Sequence, residues 1–136
     1  LEGYLWDNED TKNAFRAAMK IAKDAGCAVS LTLSDAFCVD RHRDSFLEII
    51  DGPVDILFAN EAELLSLYQT EDFDAAVDAV AKVAPLAVVT RSEKGCIVIS
   101  GDERIAVEAE PIKQLVDTTG AGDQFAAGFF YGLVRK

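Results

Sequence analysis

Residues 117–123 read DTTGAGD. Gly120, Ala121 and Gly122 carry almost no side chain, so their backbone N–H groups lie open to an approaching group. An apolar helical pattern, FAAGFFYGL, begins after one further residue, Gln124. A helix start adds the positive end of its dipole to those amides. The combination is an anion cradle, suited to a phosphate or a developing oxyanion. Asp123 falls in the first turn of that helix. There its carboxylate could take the proton of a hydroxyl that attacks a phosphoryl group held in the cradle. The stretch is not the dinucleotide fingerprint, because Phe125 stands at its third glycine position, and it lacks the G-K-[ST] of a P-loop. The plainer alternative is an ordinary helix start, with Thr118 or Thr119 as the cap and Asp123 favouring the dipole. Gly128 and Gly132, beside Phe125, Phe129 and Leu133, read as close packing against a sheet.

Other polar residues fall just after apolar runs. Asn60 and Glu63, in NEAE, have the spacing of a capping box. Thr90–Gly95 is a short polar turn, read most simply as a hairpin connection. Asp35, Arg41, His42 and Arg43 read as a solvated polar loop, with contact to substrate or nucleotide as the alternative. Asp7 follows the first apolar stretch.

The elements that must position these residues alternate between strand and helix. LEGYLW (1–6) reads as a short strand. A helix follows, with Ala14, Ala17, Ala18, Ile21, Ala22 and Ala25 on one face and Gly26 at its end. CAVSLTL (27–33), VDILFA (54–59) and LAVVT (86–90) are near-continuous apolar runs, as in strands covered on both sides. Helices are expected over roughly 40–50, from Asn60 through Tyr68, and over about 72–84. CIVIS (96–100) and ERIAVEA (103–109), joined by GD, read as a hairpin, with 112–116 extending that edge. The last helix starts at about residue 121. This pattern predicts an α/β fold: a doubly wound, mostly parallel sheet flanked by helices, with an antiparallel hairpin at one edge. In such folds ligands sit at the C-terminal ends of the strands, so Asp7, Asp35, Asn60–Glu63, Thr90–Gly95 and the DTTGAGD stretch are expected on one rim.

The chain has 136 residues, half of them hydrophobic, and a net charge of -11. One domain with a real core fits that length, and so strong a negative charge disfavours nucleic acid as a partner. Cys27, Cys38 and Cys96 are odd in number and show no C-x-x-C spacing, and His42 is the lone histidine. These features argue against zinc and against a disulfide framework, and the cysteines read as reduced thiols of a cytoplasmic protein. No apolar run reaches the length of a membrane span. LEGYLW at the start, without an initiator Met, and FFYGLVRK at the end, with no capping residue beyond it, suggest a piece of a longer protein.

DTTGAGD followed by QFAAGF resembles the C-terminal signature of the ribokinase-like (PfkB) kinases of sugars and nucleosides. The resemblance implies that Asp123 is the general base, and that Gly120, Ala121 and Gly122 form the anion hole for the transferring phosphoryl group. Asn60 and Glu63 match the family's N-x-x-E motif, which implies magnesium and phosphate handling; Glu63 would act through water, since Mg²⁺ keeps much of its hydration. VVTRSEKGC resembles the family's nucleotide-side turn, T-x-G-x-x-G. Thr90 and Gly95 match it, whereas Ser92 stands where glycine is usual and could offer a hydroxyl to a phosphate. Asp117 and Thr119 resemble positions that bind a monovalent cation such as K⁺ in some members. The implied cofactors are ATP and Mg²⁺. The implied partners are a small sugar or nucleoside and, for the intact protein, a second copy in a homodimer. EGYLWD and TRSEKG lean towards bacterial adenosine or sugar kinases. The family's substrate-binding N-terminal half and lid are not in this sequence, which leads us to expect the ATP side and catalytic core, with poor phosphorylation by these 136 residues alone.

Overall fold

The structure, a computed structural model, describes residues 1–135. Five strands form one mixed sheet in sequence order: β1 (Ser30–Thr32), β2 (Ile56–Asn60), β3 (Leu86–Thr90), β4 (Cys96–Ser100) and β5 (Glu103–Val107). β1, β2 and β3 are parallel, while β4 and β5 return antiparallel as the expected hairpin. Four helices, α1 (Glu9–Asp24), α2 (Ala36–Ile50), α3 (Glu61–Tyr68) and α4 (Phe73–Val80), pack on the face that carries Leu31, Leu57, Ala87 and Ile99. The fifth, α5 (Ala121–Leu133), covers part of the other face. This is the α/β architecture, flanked by helices on both sides, that the apolar runs imply.

The main core joins Trp6, Phe46, Leu31, Leu33, Leu57, Leu64 and Leu67, all fully buried. The attachment of α5 is thinner, and no residue of that helix is fully buried. Phe125, Ala126, Phe129, Phe130 and Leu133 lie on Ile56, Phe58 and Val88. Phe58 meets Phe129 and Phe130 edge-on at 5.5 and 5.2 Å between ring centroids. Each such pair contributes about 0.5–1.5 kcal/mol beyond the area it buries, so these rings fix where the N-terminus of α5 points.

Several expectations are corrected. LEGYLW is not a strand: Gly3–Asp7 forms a 3-10 helix, and only Glu2 bridges to Thr32 of β1. Gly3 and Trp6 are the buried residues of this turn, and their spacing of three is the 3-10 period. A Cβ on Gly3 would lie 2.4 Å from the Leu33 carbonyl oxygen, so only glycine lets the turn sit this close to the sheet. The segment after β1 is not a loop. α2 begins at Ala36, capped by the Asp35 carboxylate accepting from the Cys38 amide at 2.9 Å. Residues 112–116 form no strand. Gly128 and Gly132 do not touch the sheet, for a Cβ on either would meet nothing within 4 Å.

Candidate active site

The parallel strands end together, and their ends build the site. Asn60 and Thr90 are register partners at the last positions of β2 and β3. Against them stands the N-terminus of α5. Between lies an open cleft of about 520 Å³, lined by residues that include Glu2, Tyr4, Ser34, Asn60, Glu63, Thr90, Thr118, Gly120, Ala121, Gly122 and Asp123. A cleft of this size suits a small-molecule ligand.

No side chain caps α5. Its N-cap is Gly120, at φ 73°, a left-handed conformation that costs other residues about 1–2 kcal/mol. The plainer reading, with Thr118 or Thr119 as the cap, therefore does not describe this helix start. Among the described residues, the N–H groups of Gly120, Gly122 and Asp123 donate to no backbone or side-chain acceptor. The Ala121 N–H, in contrast, donates to the Thr118 carbonyl at 3.0 Å. The open donors are thus those of Gly120, Gly122 and Asp123, with Ala121 supplying bare surface but a committed amide. Gly122 lines the cleft, and a Cβ on it would meet nothing within 4 Å. Asp123 is exposed on the same cleft, and its carboxylate has no hydrogen-bond or ion-pair partner among the described residues.

Across the cleft, Asn60 and Glu63 form a complete capping box at the head of α3. Glu63 N–H donates to Asn60 Oδ1 at 2.8 Å. The Glu63 carboxylate accepts from Asn60 N–H at 2.9 Å and from Asn60 Nδ2 at 2.7 Å. Glu63 is only 4% exposed, and no cation contacts it among the described residues. Burial pushes its carboxyl above the usual range, against the opposing pull of the Asn60 amide. A buried carboxylate with two filled lone pairs, two open ones and no counter-charge suits a hydrated divalent cation. Direct, all-protein ligation is not built here: no group of three or more acidic, histidine or cysteine side chains gathers among the described residues.

The rim prediction holds for some positions only. Asn60, Glu63, Thr90, Gly120, Ala121, Gly122 and Asp123 share the cleft. Ser92 and Gly95 lie in the turn behind Thr90 and do not line it. Asp117 and Thr119 sit just before the cradle, where Asp117 Oδ1 accepts from the Thr119 amide at 2.8 Å and that bond holds the Asp117 carboxyl low. Asp35 is spent on its cap. Asp7 accepts from Arg41 at 2.9 Å and faces His42 at 2.6 Å, away from the cleft. Arg43 donates to the Leu67 carbonyl.

Sequence reasoning missed Glu2, Tyr4 and Ser34 as cleft residues. Ser34 adopts φ 75°, accepts from the Tyr4 amide and donates to the Glu2 carboxylate. A hydroxyl residue at the exit of β1 was the available signal. Nothing in LEGYLW as a strand would have brought Glu2 alongside it.

Parallel strands whose ends face a bare-amide helix start form an α/β cleft with the geometry to hold an anion. Residues 1–136 match the pfkB family carbohydrate kinase profile over their whole length. The chain is 51% identical to the adenosine kinase from Sinorhizobium meliloti, with a TM-score of 0.96 over 99% of this chain and 42% of that one. It is 44% identical over 98 residues to a cytidine kinase of Thermococcus kodakarensis, covering 70% of this chain and 34% of that protein. A putative ribokinase II from E. coli, solved with ATP and Mg²⁺, superposes with a TM-score of 0.78 at 26% identity, over 91% of this chain and 41% of that one. The chain belongs to the pfkB carbohydrate kinase family and spans less than half the length of these relatives. No helix among the described residues is long and apolar enough to cross a membrane.

Proposed function

We propose that this chain is the ATP-side and catalytic core of a kinase that transfers the γ-phosphoryl group of ATP to a hydroxyl of a sugar or nucleoside. One observation carries the reading: an unpartnered carboxylate, Asp123, shares a cleft with the uncommitted amides of its own helix start. Asp123 takes the proton of the acceptor hydroxyl as that oxygen attacks. The N–H groups of Gly120, Gly122 and Asp123 hold the phosphoryl oxygens and stabilise the charge that develops on them. Thr90, with Ser92 and Gly95 behind it, forms the nucleotide-side turn. Mg²⁺, when bound with the nucleotide, supplies neutralising charge at the phosphates. Glu63 would hold it through water, oriented by Asn60, and Asp117 with Thr119 would hold a monovalent cation beside the cradle. A mere nucleotide-binding module would have no use for a free carboxylate at residue 123.

The similarity to an adenosine kinase and a cytidine kinase favours a nucleoside as acceptor. A cytoplasmic setting and a homodimer of the intact protein belong to the same reading. ADP release by the full-length protein, measured against a panel of nucleosides and sugars, tests it. Turnover with a nucleoside is expected, and no turnover with any member would overturn the reading. These 136 residues alone are expected to phosphorylate poorly, because their cleft is open to solvent.

A further inference from the structure

Arg91 directly follows Thr90, and Glu61 directly follows Asn60, so the two leave the sheet from neighbouring register positions. Their side chains meet outside the cleft. Arg91 Nη2 donates to Glu61 Oε1 at 3.0 Å, and Lys94 Nζ stands 3.7 Å from Glu61 Oε2. The Arg91 guanidinium also lies over the ring of Phe73, 3.8 Å from its centroid. Glu61 is the first residue of α3 and Phe73 the first of α4. One guanidinium therefore touches the starts of two helices.

The same residue closes the turn behind Thr90. Arg91 N–H donates to the Gly95 carbonyl at 2.7 Å, and Lys94 N–H donates to the Arg91 carbonyl at 3.0 Å. Gly95 N–H donates to the Ser92 carbonyl at 3.1 Å. The turn includes Ser92 at φ 51° and Gly95 at φ 85°, both left-handed. Arg91 Nε is buried without a partner, so the stacking on Phe73 and the Glu61 pair are what hold the group. Arg91 is also the chief cause of a lowered Glu61 carboxyl pKa. A planar, partly shielded guanidinium held on two sides is far more rigid than a surface lysine pair.

The geometry points to Arg91 as a positioning residue: its clamp on Glu61 and Phe73 locks the nucleotide-side turn (90–95) to the head of α3, where Asn60 and Glu63 stand. This rests on the proposed kinase reading. Its consequence is that nucleotide and divalent cation reinforce each other's binding through Arg91, although Arg91 does not line the cleft.

The test uses Arg91→Met, Arg91→Lys and Glu61→Gln, with two readouts. Calorimetry gives the affinity for ATP with and without Mg²⁺. In Arg91→Met the gain in ATP affinity due to Mg²⁺ should fall about tenfold, a typical size for coupling between sites, while metal-free ATP binding changes little. Arg91→Lys, which keeps the charge without the planar stack, should restore part of that gain. Amide hydrogen exchange is the second readout. Arg91→Met should speed exchange at Glu63 N–H, and Glu61→Gln should speed it at Gly95 N–H, each about thirty residues from its substitution. Equal losses of affinity with and without Mg²⁺, or unchanged exchange at the distant amide, would overturn the proposal. If the unsubstituted protein binds no ATP, the kinase reading fails by itself. The exchange data then still decide whether the clamp transmits order between the two segments.

Discussion

Gly122→Ala separates the stability of the α5 start from its use. Gly122 does not have positive φ, and a Cβ there meets nothing within 4 Å. Alanine forms helix better than glycine, by about 0.8–1 kcal/mol in a helix interior and about half that in a first turn. The substitution should therefore raise stability by about 0.5 kcal/mol, which is roughly 2 °C in Tm for a domain of this size. The new methyl group, however, sits on a cleft-lining residue, where it should crowd a phosphoryl oxygen approaching the Gly122 and Asp123 amides. Losing a donor of this kind costs about 10²–10³ in rate, and a tenfold loss of nucleotide affinity is a modest expectation. The assay is thermal unfolding with and without Mg·ATP. At a hundred times Kd the ligand adds about 2.7 kcal/mol, and after a tenfold weakening the same concentration adds about 1.4 kcal/mol. Apo stability and ligand protection should thus move in opposite directions. Gly120→Ala is the contrast, since φ 73° costs alanine about 1–2 kcal/mol and should lower Tm without ligand. Full Mg·ATP protection in Gly122→Ala would refute the cradle.

Ser92→Gly should stabilise the protein by about 0.5–1 kcal/mol in denaturant unfolding, because serine is held at φ 51° where glycine is at ease. Gly95→Ala should cost about 3 kcal/mol or more, and show it as a large drop in midpoint, since its Cβ would fall 1.9 Å from the Val107 carbonyl oxygen at φ 85°. Glu63 has a carboxyl raised by burial. A raised folded-state value means that Glu63 stabilises most when protonated, below its unfolded value of 4.5, and that this advantage is lost as pH rises through the folded value. Urea unfolding of Glu63→Gln against the unsubstituted protein should therefore favour the variant progressively as pH climbs above 4.5, with Mg·ATP narrowing the difference.

The strands at 27–33, 54–59 and 86–90 were legible because each is a near-continuous apolar run between helix signals, and the structure keeps their central residues in the sheet. The α5 start was legible at about residue 121, since a bare GAG turn precedes an apolar helical period, although Thr118 and Thr119 also offered themselves as the cap. The first turn was not. LEGYLW reads as a short apolar strand, and only the burial of Gly3 and Trp6, three apart, reveals the 3-10 geometry. The beginning of α2 was hidden by DRHRD at 40–44, whose charges mask the period of Val39, Phe46 and Ile50, and α2 kinks there at His42. Asn60 and Glu63 were readable as a cap, yet the absence of a counter-charge around Glu63 appears only in three dimensions. The same holds for Arg91, whose partners Glu61 and Phe73 are distant in sequence.

The most direct measurement is phosphoryl transfer by the full-length protein bearing Asp123→Asn, with Mg·ATP affinity measured in parallel. Loss of a general base should lower kcat by at least about a hundredfold while Mg·ATP affinity stays within about threefold, because asparagine keeps the shape of the site and its backbone amide. Turnover close to that of the unsubstituted protein would contradict the assignment of Asp123 as the proton acceptor.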